Sequence, residues 1–113
     1  MRYNTVKNAD KIVLSSSYLI KNPSEYKNKW KNVFGNNNPI CLELGMGRGS
    51  FIIGMAEKYP NINFIGLELD VNQTATAVKN TGNKKLNNLK MICDDASNLV
   101  DFFGKEIDNI YLT

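Results

Sequence analysis

The chain contains no histidine, which removes the usual general base and the commonest metal ligand together. Only two cysteines occur, Cys41 and Cys93, each inside an apolar run where a thiol acts as a small hydrophobe. Two such residues make neither a disulfide framework nor a metal-ligand spacing, so a metal-free protein is expected. No apolar run reaches the roughly eighteen residues that a membrane span needs. The amino terminus, Met-Arg-Tyr-Asn-Thr-Val, lacks the apolar stretch of a signal peptide. A cytoplasmic protein away from membranes is the expectation. The chain has only three prolines, and each falls at a boundary: Pro23, Pro39 and Pro60. At 113 residues and 42% hydrophobic, it has material for one ordinary core and not for two.

What is present centres on Pro39-Ile-Cys-Leu-Glu-Leu-Gly-Met-Gly-Arg-Gly49. A short apolar strand runs into three glycines at alternate positions, Gly45, Gly47 and Gly49, and a helical pattern follows at once. Such a loop brings backbone close to a nucleoside-bearing cofactor. Glu43, two residues before the first glycine, decides which cofactor. A carboxylate repels a pyrophosphate and attracts a ligand carrying an ammonium and a sulfonium. The dinucleotide pattern also wants glycine where this chain has Ser50, and no Gly-Lys-Ser/Thr follows to make a P-loop. S-adenosylmethionine is the cofactor this loop predicts, rather than NAD.

From Ile40 onward, strand and helix signals alternate. Strands are expected at Ile40–Leu44, Ile62–Leu69, Leu89–Cys93 and Ile107–Leu112. Helices are expected through Phe51–Ala56 up to Pro60, at Val71–Lys79, and as a turn at Leu99–Phe103. That alternation predicts an α/β fold with a parallel, doubly wound sheet and right-handed crossovers. The chain stops inside the fourth strand, at Tyr111-Leu112-Thr113, so an amino-terminal portion of a longer protein is expected. Ahead of this, Asn22-Pro23-Ser24-Glu25 reads as the start of a helix that Gly35 ends, with Tyr26, Trp30, Val33 and Phe34 on one face. The structure of residues 1–21 is not legible from pattern.

Charge is uneven. Residues 1–38 hold seven Lys/Arg against two acids, whereas residues 39–113 hold seven against nine. The division expected is a basic arm and helix over 1–38 and a cofactor-binding domain over 39–113. A basic arm suits a polyanionic partner, with Lys27 and Lys31 directed away from the aromatic face toward phosphates; a solvated helix face accounts for the same charge.

In open α/β sheets the ligand sits beyond the carboxyl ends of the strands. Glu43, Glu68 and the pair Asp94-Asp95 fall at three successive ends. Glu68, nineteen residues after Gly49, is expected to accept hydrogen bonds from ribose hydroxyls. The acidic pair is expected to receive an adenine amino group, and Glu43 to face the methionine ammonium. Asp95 and Asp70 each have a second reading as helix N-caps.

Together, Asn22-Pro23, Trp30, Phe34-Gly35-Asn36, Asn38-Pro39-Ile40, Glu43-Leu44-Gly45-Met46-Gly47-Arg48-Gly49, Phe51, Gly54-Met55-Ala56, Pro60, Ile62–Glu68 and Ile110-Tyr111-Leu112 resemble the bacterial tRNA (guanine-N7)-methyltransferase family. The resemblance runs from about residue 19 to the end. It implies a Rossmann-like class I methyltransferase fold that uses S-adenosylmethionine to methylate a variable-loop guanosine of tRNA. It further implies that Glu43, Glu68 and Asp95 are cofactor-binding acids. Family members follow strand four with an Asp-Pro-Trp-Pro-Lys segment that bears guanine and tRNA contacts, and this sequence ends before it. No catalytic side chain is assigned. Two other readings are a non-catalytic cofactor- or RNA-binding module and a class I methyltransferase for a small molecule or protein.

Overall fold

The computed structural model describes residues 5–112. Arg2, which contributes to the basic excess, and Thr113 lie outside the described residues. The elements run α1 (Ala9–Ser15), a 3-10 turn (Pro23–Tyr26), α2 (Trp30–Phe34), β1 (Ile40–Leu44), α3 (Ser50–Lys58), β2 (Asn63–Glu68), α4 (Val71–Asn80), β3 (Leu89–Cys93), a 3-10 turn (Ala96–Asn98), α5 (Leu99–Phe102) and β4 (Asn109–Leu112). No helix is long and apolar enough to cross a membrane among the described residues.

The four strands form one parallel sheet in the order β3-β2-β1-β4. Strands covered on both faces need apolar residues at nearly every position, which is why β1 to β3 read as runs rather than alternations. Cys41, Phe64, Leu89 and Met91 pack with Ile52, Ile53, Ala56 and Ala77 of α3 and α4 on one face. Ile40, Leu42, Ile65, Leu67 and Ile92 pack with Trp30, Phe102 and Phe103 on the other. β4 is a half-covered edge, with Ile110 and Leu112 exposed.

The opposite edge is occupied by residues that sequence pattern left open. Leu19 bridges Met91 in parallel, through Ile20 N–H to Met91 C=O (2.9 Å) and Met91 N–H to Tyr18 C=O (2.8 Å). Just before it, α1 lays Ala9 and Val13 against Ala75 of α4. Asp70 caps α4 by accepting from Asn72 N–H at 2.8 Å, its N-cap reading being the one observed.

The helix expected from Asn22 to Gly35 is instead two short pieces. Asn22 makes no side-chain cap, and the chain breaks at Asn28, which takes φ +66°. The cause is tertiary. One Glu106 oxygen accepts from Asn28 N–H (2.6 Å) and Gly104 N–H (2.9 Å), and the other from Trp30 N–H (3.2 Å). Those bonds bend the segment so that Trp30 turns inward, where its indole N–H reaches Phe102 C=O at 2.8 Å. Local capping signals are weaker than three charge-assisted bonds. Glu106→Ala is expected to destabilise the chain by about 1–3 kcal/mol. Glu106→Gln, which keeps one acceptor oxygen, should recover part of that in urea titrations followed by circular dichroism.

Candidate functional site

The loop after β1 is built from backbone. Gly45, Gly47 and Gly49 all have positive φ (75°, 57° and 83°). They do different work. At Gly49 a side chain would crowd Ala77 Cβ and Ile53 Cδ1 at 3.0 Å, so this glycine lets α3 start tightly against α4. At Gly47 a Cβ would meet nothing within 4 Å, so this position opens onto free space above the loop.

Several partners hold the loop from below. Gly45 N–H and Met46 N–H both donate to Leu67 C=O, at 2.9 and 3.0 Å. Glu68 then splits its carboxylate: one oxygen accepts from Gly47 N–H (2.9 Å), the other from Asp70 N–H (3.0 Å). Asn80, at the end of α4, donates its side-chain amide to Arg48 C=O at 2.9 Å. The expectation for Glu68 named only ligand hydroxyls. Its carboxylate also joins the glycine loop to the start of α4, and each oxygen retains the capacity to accept a further hydrogen bond.

The other acids occupy different depths. Glu43 is buried, at 2% exposure, inside β1 in register with Gly66 of β2 and Tyr111 of β4. Asp94 and Asp95 follow β3, with Asp94 N–H on Glu68 C=O at 3.1 Å, so this pair adjoins Glu68 across neighbouring strands. Asp95 is exposed and accepts from Ser97 N–H at 2.9 Å, capping the turn at Ala96–Asn98. The Ser97 backbone and side chain hold its carboxyl below the ordinary aspartate range. That ionised form is favoured by the fold above the unfolded pKa, and the preference is lost as pH falls through the lowered one. Cap and ligand acceptor are compatible roles, since a carboxylate has more than one lone pair.

Three features escaped sequence reasoning. Met46 turns into the core although it stands between two loop glycines. Leu69, next to Glu68, is 66% exposed and leaves an apolar side chain in the open just past the carboxyl end of β2. Phe51 of α3 meets Tyr111 edge-on at 5.3 Å, closing the β4 side. Both cysteines are free thiols, pushed up in pKa chiefly by burial, and no cluster of three or more His, Cys, Asp or Glu suited to a metal ion occurs among the described residues. Cys93 is only half-buried, because it ends β3 rather than sitting inside it.

The basic residues stand elsewhere. Lys27, Lys29 and Lys31 are exposed, and Lys29 and Lys31 share a groove of about 300 Å³ with Lys105, Glu106 and Asp108. Residues 104–108 lead into β4, so this groove lies at the amino ends of β1 and β4, away from the glycine loop.

Set against known proteins, residues 37–113 match the model of a family described as "Putative methyltransferase". The chain belongs to that methyltransferase family. It is 40% identical over 114 residues to a tRNA (guanine-N(7)-)-methyltransferase of Streptococcus suis, covering 99% of this chain and 54% of the relative. It is 42% identical over 104 residues to the Bacillus subtilis protein of the same name, covering 91% and 49%. The resemblance read from the loop and strand residues is therefore borne out, and this methyltransferase chain spans about half the length of the curated relatives it matches. Its fold is likewise that of solved methyltransferases. A 30S ribosomal A1408 methyltransferase from an uncultured bacterium superposes with TM-score 0.59 at 19% identity, over 75% of this chain and 42% of that one.

Proposed function

We propose that this chain is the cofactor-binding portion of an S-adenosylmethionine-dependent tRNA (guanine-N7)-methyltransferase acting in the cytoplasm. The observation that carries the reading is the glycine loop tied through Gly47 N–H to Glu68, at the carboxyl ends of β1 and β2. The tRNA (guanine-N(7)-)-methyltransferases among its relatives support tRNA as the substrate.

The residues suit the ligand part by part. Gly47 leaves open space where backbone must lie close to it. Glu68 offers lone pairs to two ribose hydroxyls, Leu69 an apolar surface to the adenine ring, and the Asp94-Asp95 turn acceptors to its amino group. Glu43 places negative charge beneath the methionine end. When bound, S-adenosylmethionine supplies a methyl group on a positively charged sulfur. The chain's own task is then to hold that methyl in line with the guanine nitrogen, which is where intramolecular positioning is most effective. Guanine N7 carries no proton, so no side chain here has to remove one. In this reading residues 39–113 hold the cofactor, and residues 1–38 bring positive charge toward tRNA phosphates, contacts that position without selecting sequence.

Two measurements test it. Calorimetry with S-adenosylmethionine should show binding by the wild-type chain, weakened in Glu68→Ala by about 1.5–3 kcal/mol for loss of a charged acceptor. Methyl transfer from labelled S-adenosylmethionine to tRNA by the full-length protein, with the product mapped by cleavage at N7-methylguanosine, tests the substrate. Binding unchanged in Glu68→Ala would remove Glu68 from the site. Binding without transfer to tRNA would leave a cofactor-binding module or a methyltransferase for another substrate.

A further inference from the structure

Gly66 is a glycine in the middle of a buried strand, where glycine costs stability and contributes no packing. Its backbone does not explain it, for Gly66 is not among the positive-φ glycines. Its surroundings do. A Cβ at Gly66 would press on Met46 Sδ and stand 3.2 Å from Met46 Cβ and 3.3 Å from Ile52 Cδ1. The missing side chain is thus the space that Met46 fills, and Met46 is 4% exposed, with no solvent route of retreat.

We infer that Gly66 and Met46 act as socket and plug, setting the height of the glycine loop over the sheet, so that Met46 is a positioning residue for the cofactor. Three consecutive residues of β2 grip three loop residues. Gly66 receives the Met46 side chain, Leu67 C=O takes the N–H groups of Gly45 and Met46, and Glu68 takes that of Gly47. A methyl group at Gly66 pushes first on the Met46 thioether, which is buried and has no free space to retreat into, so part of the displacement must pass along that side chain to Gly45–Gly47. The packed core has little compressibility with which to absorb it. Glu43 stands in register beside Gly66, so the same displacement alters the cover over that buried carboxylate.

The test is a double-mutant cycle in the full chain with Gly66→Ala, Met46→Ala and both. Two quantities are read: the S-adenosylmethionine dissociation constant, which rests on the proposed cofactor, and amide hydrogen exchange at Gly45, Met46 and Gly47, which does not. Gly66→Ala should weaken binding about tenfold or more and speed exchange at those three amides, as overpacking of this kind does. In the Met46→Ala background the same substitution should cost no more than about threefold, because the two residues are coupled through one space. If Gly66→Ala fails to fold, the double variant must fold, and its failure overturns the proposal. Equal costs in both backgrounds, or unchanged exchange in Gly66→Ala, overturn it as well. Absence of wild-type binding would defeat the cofactor reading alone, leaving exchange to decide the loop.

Discussion

Trp30→Ala is expected to remove a large share of the chain's stability, about 3–5 kcal/mol. Trp30 has no exposed surface, stacks obliquely on Phe103 at 5.1 Å and lies 5.8 Å from Tyr26. Truncation leaves a cavity between α5 and the sheet and strips Phe102 C=O of the indole donor. Domains of this size are stable by about 5–15 kcal/mol in total, so the variant should be largely unfolded in mild denaturant. Urea titration by circular dichroism measures it. Trp30→Phe, which keeps a ring but loses the N–H, should fall between the two. A loss below about 1 kcal/mol for the alanine variant would mean that the indole fills no essential space.

Gly47→Val should have the second largest effect, this time on ligand rather than fold. The position takes φ +57°, which costs a β-branched residue at least about 1–2 kcal/mol. No protein atom lies within 4 Å of a Cβ there, so nothing in the core is displaced. The new side chain instead occupies the space proposed for S-adenosylmethionine and disturbs the Gly47 N–H bond to Glu68. Affinity should drop at least about a hundredfold, close to 2.7 kcal/mol, with helix content nearly unchanged. Calorimetry beside circular dichroism decides, and normal affinity would show the loop to be only a turn.

The two predictions mark how far sequence reading reaches. β1 and β3 were legible to the residue, because a strand buried on both faces leaves a continuous apolar run between turn signals. The Asp70 cap was legible too, being a bond between residues two apart. The α2 region was not. Asn22, Pro23 and Glu25 carry every local mark of a helix start, yet Glu106 overrides them from 78 residues beyond Asn28. The positions of Glu43, Gly45, Gly47, Glu68 and Asp95 near the carboxyl ends followed from strand boundaries alone. Their differing depths did not, since depth depends on which face of the pleat each residue takes and on what lies across it. Met46 is the clearest instance: its burial is dictated by a vacancy at Gly66, twenty residues later.

Trp30 is the chain's single tryptophan, and its surroundings make it a built-in optical probe. An indole shielded from water and hydrogen-bonded to a carbonyl emits at short wavelength, and it shifts to the red when the shell opens. Because Trp30 packs beneath α5, on the sheet face opposite Met46 and α3, its emission should follow denaturation closely while staying nearly silent when ligand enters above Gly47. One protein sample thus carries a fluorescence signal for integrity that is separate from any signal for occupancy.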